Sequence, residues 1–385
     1  MQYITAGESH GPCLTAIVSG VPAGLPVNLE NIDSDLKRRQ SGYGRGGRQA
    51  IEADHAEVTS GIRFGVATGA PISITVRNRD WENWHAHMAH FGAAPANGPR
   101  EVTPRPGHAD LVGVLRTNTD DCRNILERAS ARETAARVAA CGIAKELLAA
   151  VGVEVTSYVS SIGSVRMQDE GQVVYEPVQI EFSPVRCPDA QATELMCREI
   201  DAAKEAGESL GGTFRVVATG LVPGLGTYTA GLDRLTSKLG AALFSIPAIK
   251  GVQFGLGFDA AARVGSQVHD EIELGEGCFT RRSNNAGGLE GGMTTGMPLV
   301  VEAAMKPIPT LMNPLDTVNL DTLEREEASR ERSDVCAVPA AAVVAEGEVA
   351  MVLANAYMDA FGDTCLADLK ANLAHYGSRL ATMAR

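Results

Sequence analysis

No C-x-x-C pair occurs among the eight cysteines of this 385-residue chain. Scattered cysteines in a chain of this length are read as reduced thiols, not as a zinc site or a disulfide framework. No stretch reaches the roughly 18 continuous apolar residues of a transmembrane helix. The opening Met1-Gln2-Tyr3 turns polar by Gly7-Glu8-Ser9-His10, without the basic start and apolar centre of a signal peptide. The expectation is a cytoplasmic protein without membrane association. Aromatic residues are scarce at 5%, which leaves no interleaving of rings and basic residues for stacking on bases. Positive charge is also short: 34 Lys and Arg against 47 Asp and Glu leave a net charge of −13, which disfavours nucleic acid as a partner. Any anion the protein handles must therefore meet a local basic cluster. A Walker lysine motif is absent, so nothing supports nucleotide hydrolysis.

What is present is the composition of a folded chain, 44% apolar and 21% charged, with 41 glycines for turns and close approaches. Two short segments recur in order. Ser19-Gly20-Val21-Pro22-Ala23-Gly24-Leu25 returns as Thr219-Gly220-Leu221-Val222-Pro223-Gly224-Leu225, and Thr68-Gly69-Ala70-Pro71-Ile72-Ser73-Ile74 returns as Thr295-Gly296-Met297-Pro298-Leu299-Val300-Val301. The separations are far too long for a solenoid and point to one domain over 1–385, built of two pseudo-repeated halves, about 1–200 and 201–385. Strands are predicted at Leu14–Ser19, Ile72–Val76, Thr213–Ala218 and Leu299–Ala303. Helices are predicted at Ser130–Ala150, Ala190–Ala206, Leu232–Ser245 and Ala340–Phe361. Their order lacks strict βαβ alternation, so the fold class is mixed α/β (α+β) with antiparallel sheet.

Three clusters carry chemistry. Lys37 to Arg48 holds five positive charges among glycines and no acid, a pattern suited to gripping phosphate or carboxylate. Its Gly42-x-Gly44-x-x-Gly47 follows a charged helical stretch instead of a strand, which excludes a dinucleotide fold. Arg105-Pro106-Gly107-His108-Ala109-Asp110 sets a histidine on a Pro-Gly turn, and Arg128-Ala129-Ser130-Ala131-Arg132-Glu133-Thr134 opens a helix that Ser130 can cap. In the second half, Arg282 to Gly292, Lys306 to Thr310 and Arg332-Ser333-Asp334 expose backbone amides and basic side chains. Glu8-Ser9-His10 are adjacent and point different ways, so they form no triad on their own. His85, His87 and His90 lie in a loop-like stretch without a neighbouring ligand set, so no metal is expected. Trp81 and Trp84 are read as packing residues.

Gly7-Glu8-Ser9-His10-Gly11, Arg105–Asp110, Glu127–Thr134, Asn284–Gly292 and Arg332-Ser333-Asp334 together resemble the signatures of the chorismate synthases, in that family's order. The resemblance implies a single domain in which helices are sandwiched between two antiparallel sheets, assembled as a homotetramer. It implies anti-1,4-elimination of phosphate from 5-enolpyruvylshikimate 3-phosphate, giving chorismate, with reduced FMN as cofactor. NADPH or an external flavin reductase would supply the electrons. His10 then resembles the histidine that protonates the departing phosphate, His108 the one that holds a proton near flavin N1, and Asp334 the carboxylate that works with flavin N5 on the C6 proton. Ser9, Arg39, Arg45, Arg48, Arg105 and Arg132 would bind substrate, with Arg39 and Arg45 also matching NADPH contacts. Flavin contacts are implied at Arg128, Ala129, Ser130, Pro247, Ala248, Gly291, Lys306, Pro307, Ile308, Pro309, Thr310 and Arg332. The chain departs from the family at Arg116-Thr117-Asn118, and at Pro247, where a polar residue is frequent. Two rival readings remain at this stage: a flavin- or NADPH-dependent oxidoreductase, and an RNA-binding protein using the Arg-Gly loop.

Overall fold

Alternation of buried and exposed side chains builds the first sheet. In β2 (Cys13–Ser19) Leu14, Ala16 and Val18 are buried; in β4 (Ile72–Arg77) so are Ile72, Ile74 and Val76. The antiparallel register sets Leu14 against Val76, Ala16 against Ile74 and Val18 against Ile72, which gives the sheet one continuous apolar face. With β1 (Gln2–Ala6) and β3 (Ala56–Ser60) the order is β1-β2-β4-β3, all pairs antiparallel. The computed structural model describes residues 1–46, 53–93, 98, 100–168, 171–275, 277–330 and 334–383.

The second sheet comprises β5 (Glu154–Ile162), β6 (Val165–Arg166), β7 (Gly212–Thr219), β8 (Ile249–Phe254) and β9 (Leu299–Met305), in the antiparallel order β8-β9-β7-β5-β6. Its four long strands repeat the order of the first sheet. Helix α1 (Leu29–Gln40) joins β2 to β3 as the helix Leu235–Phe244 joins β7 to β8. The recurring turns make matching backbone bonds. Gly24 N–H donates to Ala67 O at 2.9 Å and Ala67 N–H to Leu25 O at 2.8 Å; Gly224 N–H donates to Thr294 O at 2.8 Å and Thr294 N–H to Leu225 O at 3.0 Å.

After α1 come the short helices α2 (Asp110–Thr117) and α3 (Arg123–Ala129), then α4 (Thr134–Ala150), α5 (Ala190–Glu205), α6 (Leu235–Phe244), α7 (Val338–Phe361) and α8 (Leu366–Met383). Helix α4 packs on β2 and β4, α7 packs on β5 and β7, and the two helices pack on each other. Small residues make this close approach possible: Ala135, Ala136, Ala139, Ala140 and Ala144 of α4 are all buried, as are Ala342, Ala345 and Ala350 of α7.

Among the described residues α7 is the one helix long and apolar enough to cross a membrane, and 89% of its apolar window is buried inside the protein. It is a core helix. Its apolar run is broken by Glu346 and Glu348, which explains why no continuous stretch is apparent in the sequence. Burial favours a neutral acid at Glu346, yet Lys145 and Arg38 outweigh it and hold the carboxyl well below its usual range. Lys145 Nζ reaches it at 2.6 Å, Arg38 at 2.8 and 2.9 Å, and the Ser157 hydroxyl at 2.9 Å. A buried charge so fully paired ties α1, α4, β5 and α7 into one arrangement. All eight cysteines are free thiols, with burial pushing Cys187 and Cys336 up to about 11.

Candidate active site

A cavity of about 420 Å³, a size typical of small-molecule sites, is lined by residues from both the first 200 and the last 185 positions of the chain. Ser9, His10, Arg39, Arg45, Arg105, His108 and Arg132 line it from the first half. Ile246, Pro247, Ala248, Met305, Ile308 and Pro309 come from the second, with Ala337, Ala340, Ala341 and Val344 at the start of α7. One part of its lining is cationic and another apolar.

His10 follows the turn after β1, and Glu127 near the end of α3 holds it. Glu127 O accepts from Ser9 N–H at 2.9 Å, Glu127 Oε2 accepts from His10 N–H at 2.8 Å, and Oε1 accepts from His10 Nδ1 at 2.9 Å. Burial would raise the Glu127 carboxyl, but the bonds from His10 and the Arg123 charge keep it below its usual range. An ionised carboxylate only accepts, so Nδ1 carries hydrogen and Nε2 is left for a ligand. The Trp84 ring stacks on the imidazole, with centroids 4.0 Å apart and planes 26° apart.

His108 has the same device built locally. Its Nδ1 bonds Asp110 Oδ1 two residues on, and Arg105 Nε donates to Asp110 Oδ2 at 2.8 Å. Burial opposes ionisation of Asp110, but the His108 and Arg105 hydrogen bonds hold its carboxyl well below the usual range. Gly107 adopts φ +78°, which turns the chain between Arg105 and His108. The second half braces this turn: Lys306 Nζ donates to Gly107 O, and Arg105 Nη1 to Thr310 Oγ1 at 3.1 Å.

Between these stations positive charge exceeds what the carboxylates can neutralise. Arg39 and Arg132 share Asp54, at 2.8 and 2.7 Å. Burial lowers Arg39 to about 10 despite Asp54, with the neighbouring Arg132 and Arg45 adding repulsion; the same two partners, Arg39 and Arg132, overcome burial to lower Asp54. One carboxylate thus satisfies only part of two guanidiniums. Arg45 reaches Asp334 Oδ2 at 2.7 Å, and Gly46 N–H donates to Asp334 Oδ1 at 2.6 Å. Gly44, at φ +81°, carries the chain so close to α5 that a Cβ would lie 2.7 Å from Ile200. The Nε atoms of Arg39 and Arg45 are buried without a hydrogen-bond partner among the described residues. The surplus of guanidinium over carboxylate at this point suits the cavity to an anion.

Most of the residues singled out from sequence therefore converge: Ser9, His10, Arg39, Arg45, Arg105, His108, Ala129, Ser130, Arg132, Pro247, Ala248, Lys306, Ile308, Pro309, Thr310 and Asp334 all line one cavity. Ser130 caps the short 3-10 turn before α4 by accepting from Arg132 N–H at 3.3 Å. Ala248 holds an uncommon φ of +70° in the wall. Arg128, Pro307 and Gly291 do not line this cavity. The Arg128 guanidinium bonds Thr5 O and Oγ1 at 3.0 and 2.7 Å, and Gly291 sits in the hairpin between Glu290 and Met293. Arg48 and Arg332 lie outside the described residues. Sequence reasoning missed Asp54, Asn78, Glu127 and Trp84. Asn78 Nδ2 donates to Gly11 O at 2.7 Å and to Glu8 O at 3.1 Å, while its Oδ1 accepts from Arg132 Nε at 2.9 Å.

The chorismate synthase family model matches residues 1–358. A chorismate synthase of Syntrophotalea carbinolica is 51% identical over 378 residues, 98% of each chain. One of Rubrobacter xylanophilus is 52% identical over 385 residues, 100% of this chain and 98% of that one. A crystal structure of chorismate synthase superposes with a TM-score of 0.79 at 40% identity, covering 99% of this chain and 98% of the other.

Proposed function

This chain belongs to the chorismate synthase family, and on that premise we propose how its cavity residues divide the work of the reaction. The reaction eliminates phosphate from C3 and a proton from C6 of 5-enolpyruvylshikimate 3-phosphate, giving chorismate, and the family requires reduced FMN. One observation carries the assignment: two histidines, each with Nδ1 bound to a buried carboxylate, line the same arginine-rich cavity.

The substrate brings one phosphate and two carboxylates. Arg39, Arg45, Arg105 and Arg132, with Arg48 and the Ser9 hydroxyl, bind these groups, and the sharing of one Asp54 carboxylate by Arg39 and Arg132, with Arg45 close by, is the strongest support for an anion there. As the C3–O bond breaks, the electron pair leaves with phosphate, and His10 Nε2–H supplies the proton that neutralises it. Glu127 keeps the compensating charge beside the ring. The C6 proton passes toward Asp334, whose carboxylate is aimed by Arg45 and by Gly46 N–H.

The cavity also fits the cofactor. Pro247, Ala248, Ile308 and Pro309 offer an apolar surface to a planar ring, while Ala129, Ser130, Lys306 and Thr310 offer polar groups and backbone. When bound, reduced FMN supplies electron density to the allylic centre from which phosphate departs. His108, fixed by Asp110 through Nδ1 in the same lining, is assigned the part of holding a proton beside that ligand. We further read the chain as one domain of two pseudo-repeated halves, with α4 and α7 sandwiched between the sheets, in support of which stand the matching strand orders and turn bonds. A homotetramer is the assembly proposed. It is supported by apolar side chains left exposed, including Ile4 and its register partner Ile17 on β1 and β2, and Leu111, Val112 and Leu115 on α2.

The test is anaerobic mixing of the protein with dithionite-reduced FMN and 5-enolpyruvylshikimate 3-phosphate. The expected outcome is chorismate absorbance with one phosphate per chorismate, dependent on reduced flavin. Bound reduced flavin without product would overturn the reading in favour of an oxidoreductase. Turnover with oxidised FMN and NADPH alone would assign reduction to this chain, with Arg39 and Arg45 as the contacts. Turnover only after chemical reduction would assign it to an external flavin reductase.

A further inference from the structure

The one-turn helix Trp81–Trp84 buries none of its residues, so Trp84 is not a core residue. It nevertheless completes a closed ring of four side chains. His10 Nδ1 bonds Glu127 Oε1 at 2.9 Å, Glu127 Oε1 accepts from Arg123 Nη1 at 3.0 Å, the Arg123 guanidinium lies over the Trp84 ring at 5.0 Å, and Trp84 stacks on His10 at 4.0 Å. The Nδ1 bond fixes one point of the imidazole but leaves it free to rock about that point. A second aromatic plane against its face removes that freedom. The backbone holds the two partners in step. Asn78, at the end of β4, bonds the carbonyls of Glu8 and Gly11 on either side of His10, and Trp81 N–H bonds Asn78 O at 3.4 Å at the start of the helical turn.

We propose that Trp84 is a positioning residue for the reaction: its indole fixes the plane of His10, and so aims Nε2 at the phosphate that leaves. The proposal rests on the reading of His10 as the proton donor. The charged and titratable groups packed around the stack are Glu127, Arg123 and His87, whose ring stands edge-on to Trp84 at 6.3 Å. Because the chain has 2 tryptophans, replacing Trp81 with Phe leaves Trp84 as the sole indole reporter.

In the Trp81→Phe background, the imidazole stacked on Trp84 should quench its emission. His10→Gln should raise that emission, and His87→Gln should leave it low. In single-turnover and steady-state assays with reduced FMN, Trp84→Leu should lower kcat roughly ten- to a hundredfold, the scale of a misplaced reacting group, with KM for 5-enolpyruvylshikimate 3-phosphate held within about twofold. Trp84→Phe, which restores a ring, should recover kcat to within about threefold of the parent. Wild-type kcat in Trp84→Leu, a rise in KM instead of a fall in kcat, or no rescue by Phe would each overturn the proposal. His10→Ala is run alongside. If His10→Ala turns over normally, the reading of His10 fails; if it is slow while Trp84→Leu is fast, only the positioning role fails.

Discussion

His10 and His108 line the same cavity with the same device, Nδ1 on a buried carboxylate, but the two devices are built differently. The carboxylate of His108 is two residues away, at the first position of α2, and the whole unit from Arg105 to Asp110 is one turn of chain. That of His10 is 117 residues away on α3, and the ring stacked against it follows β4 in the first sheet. A contiguous unit keeps its internal geometry even if neighbouring elements shift. An assembled unit exists only when β1, β4 and α3 are all in place, so the His10 side depends on the fold in a way the His108 side does not. The second half braces the turn carrying His108 through Lys306 on Gly107 and Thr310 on Arg105, and among the described residues it makes no hydrogen bond to the His10–Glu127 pair.

The largest expected effect tests whether the two stations are equals. His10→Ala and His108→Ala should each slow single-turnover formation of chorismate by roughly 10²–10⁴-fold, the scale for losing a general acid or base. Wild-type-like turnover in either would remove that histidine from the mechanism and break the symmetry. The next effect sharpens the difference in construction. Loss of a hydrogen bond to a charged group is worth about 1.5–3 kcal/mol, or roughly one to two orders of magnitude in rate. Glu127→Gln should lower kcat on that scale with KM little changed. Asp110→Asn should lower kcat and also raise KM, because it releases Arg105, the residue proposed to bind substrate. Identical effects on both parameters would show that the construction does not matter.

The smallest effect is on stability. Both carboxyls lie below their usual range in the folded protein, so each contributes stability above the unfolded carboxylate range near pH 4. That contribution is lost as the pH falls through the folded values. Melting temperatures measured between pH 3 and 7 should therefore show both Asp110→Asn and Glu127→Gln destabilised at neutral pH, the Glu127→Gln gap closing in acid and the Asp110→Asn gap, set by a carboxyl held well below the usual range, narrowing only in part by pH 3. A gap that persists undiminished at pH 3 would mean the two carboxylates act by packing alone.

The strands around the repeated turns and the long helices were legible because their periodicities are local properties of the chain. Leu14, Ala16 and Val18 alternate within one strand, and the alanine-rich run of α4 needs no partner to be seen. The His108 unit was legible for the same reason, and so were the arginine-glycine cluster and the cap at Ser130. The flavin contact at Arg128 was implied by the resemblance alone; its guanidinium bonds Thr5 and Gly7 and lies outside the lining of the cavity. Trp84 was read as packing because a tryptophan in a polar stretch shows no periodicity, and nothing in its neighbourhood points to a residue 74 positions earlier.

By itself the sequence determined the most periodic strands and helices, the duplicated turns, the need for a basic cluster in an acidic chain, and the candidate histidines and arginines of the site. These follow from spacing along the backbone, where the geometry of helix and strand is already set. Only the tertiary structure decided which charge answers which: Glu127 rather than Glu8 for His10, Asp54 shared by Arg39 and Arg132, Asp334 against Arg45. Coulombic and hydrogen-bonding partners are chosen by proximity in a medium from which water has been removed. That proximity exists only once the two sheets have closed over α4 and α7.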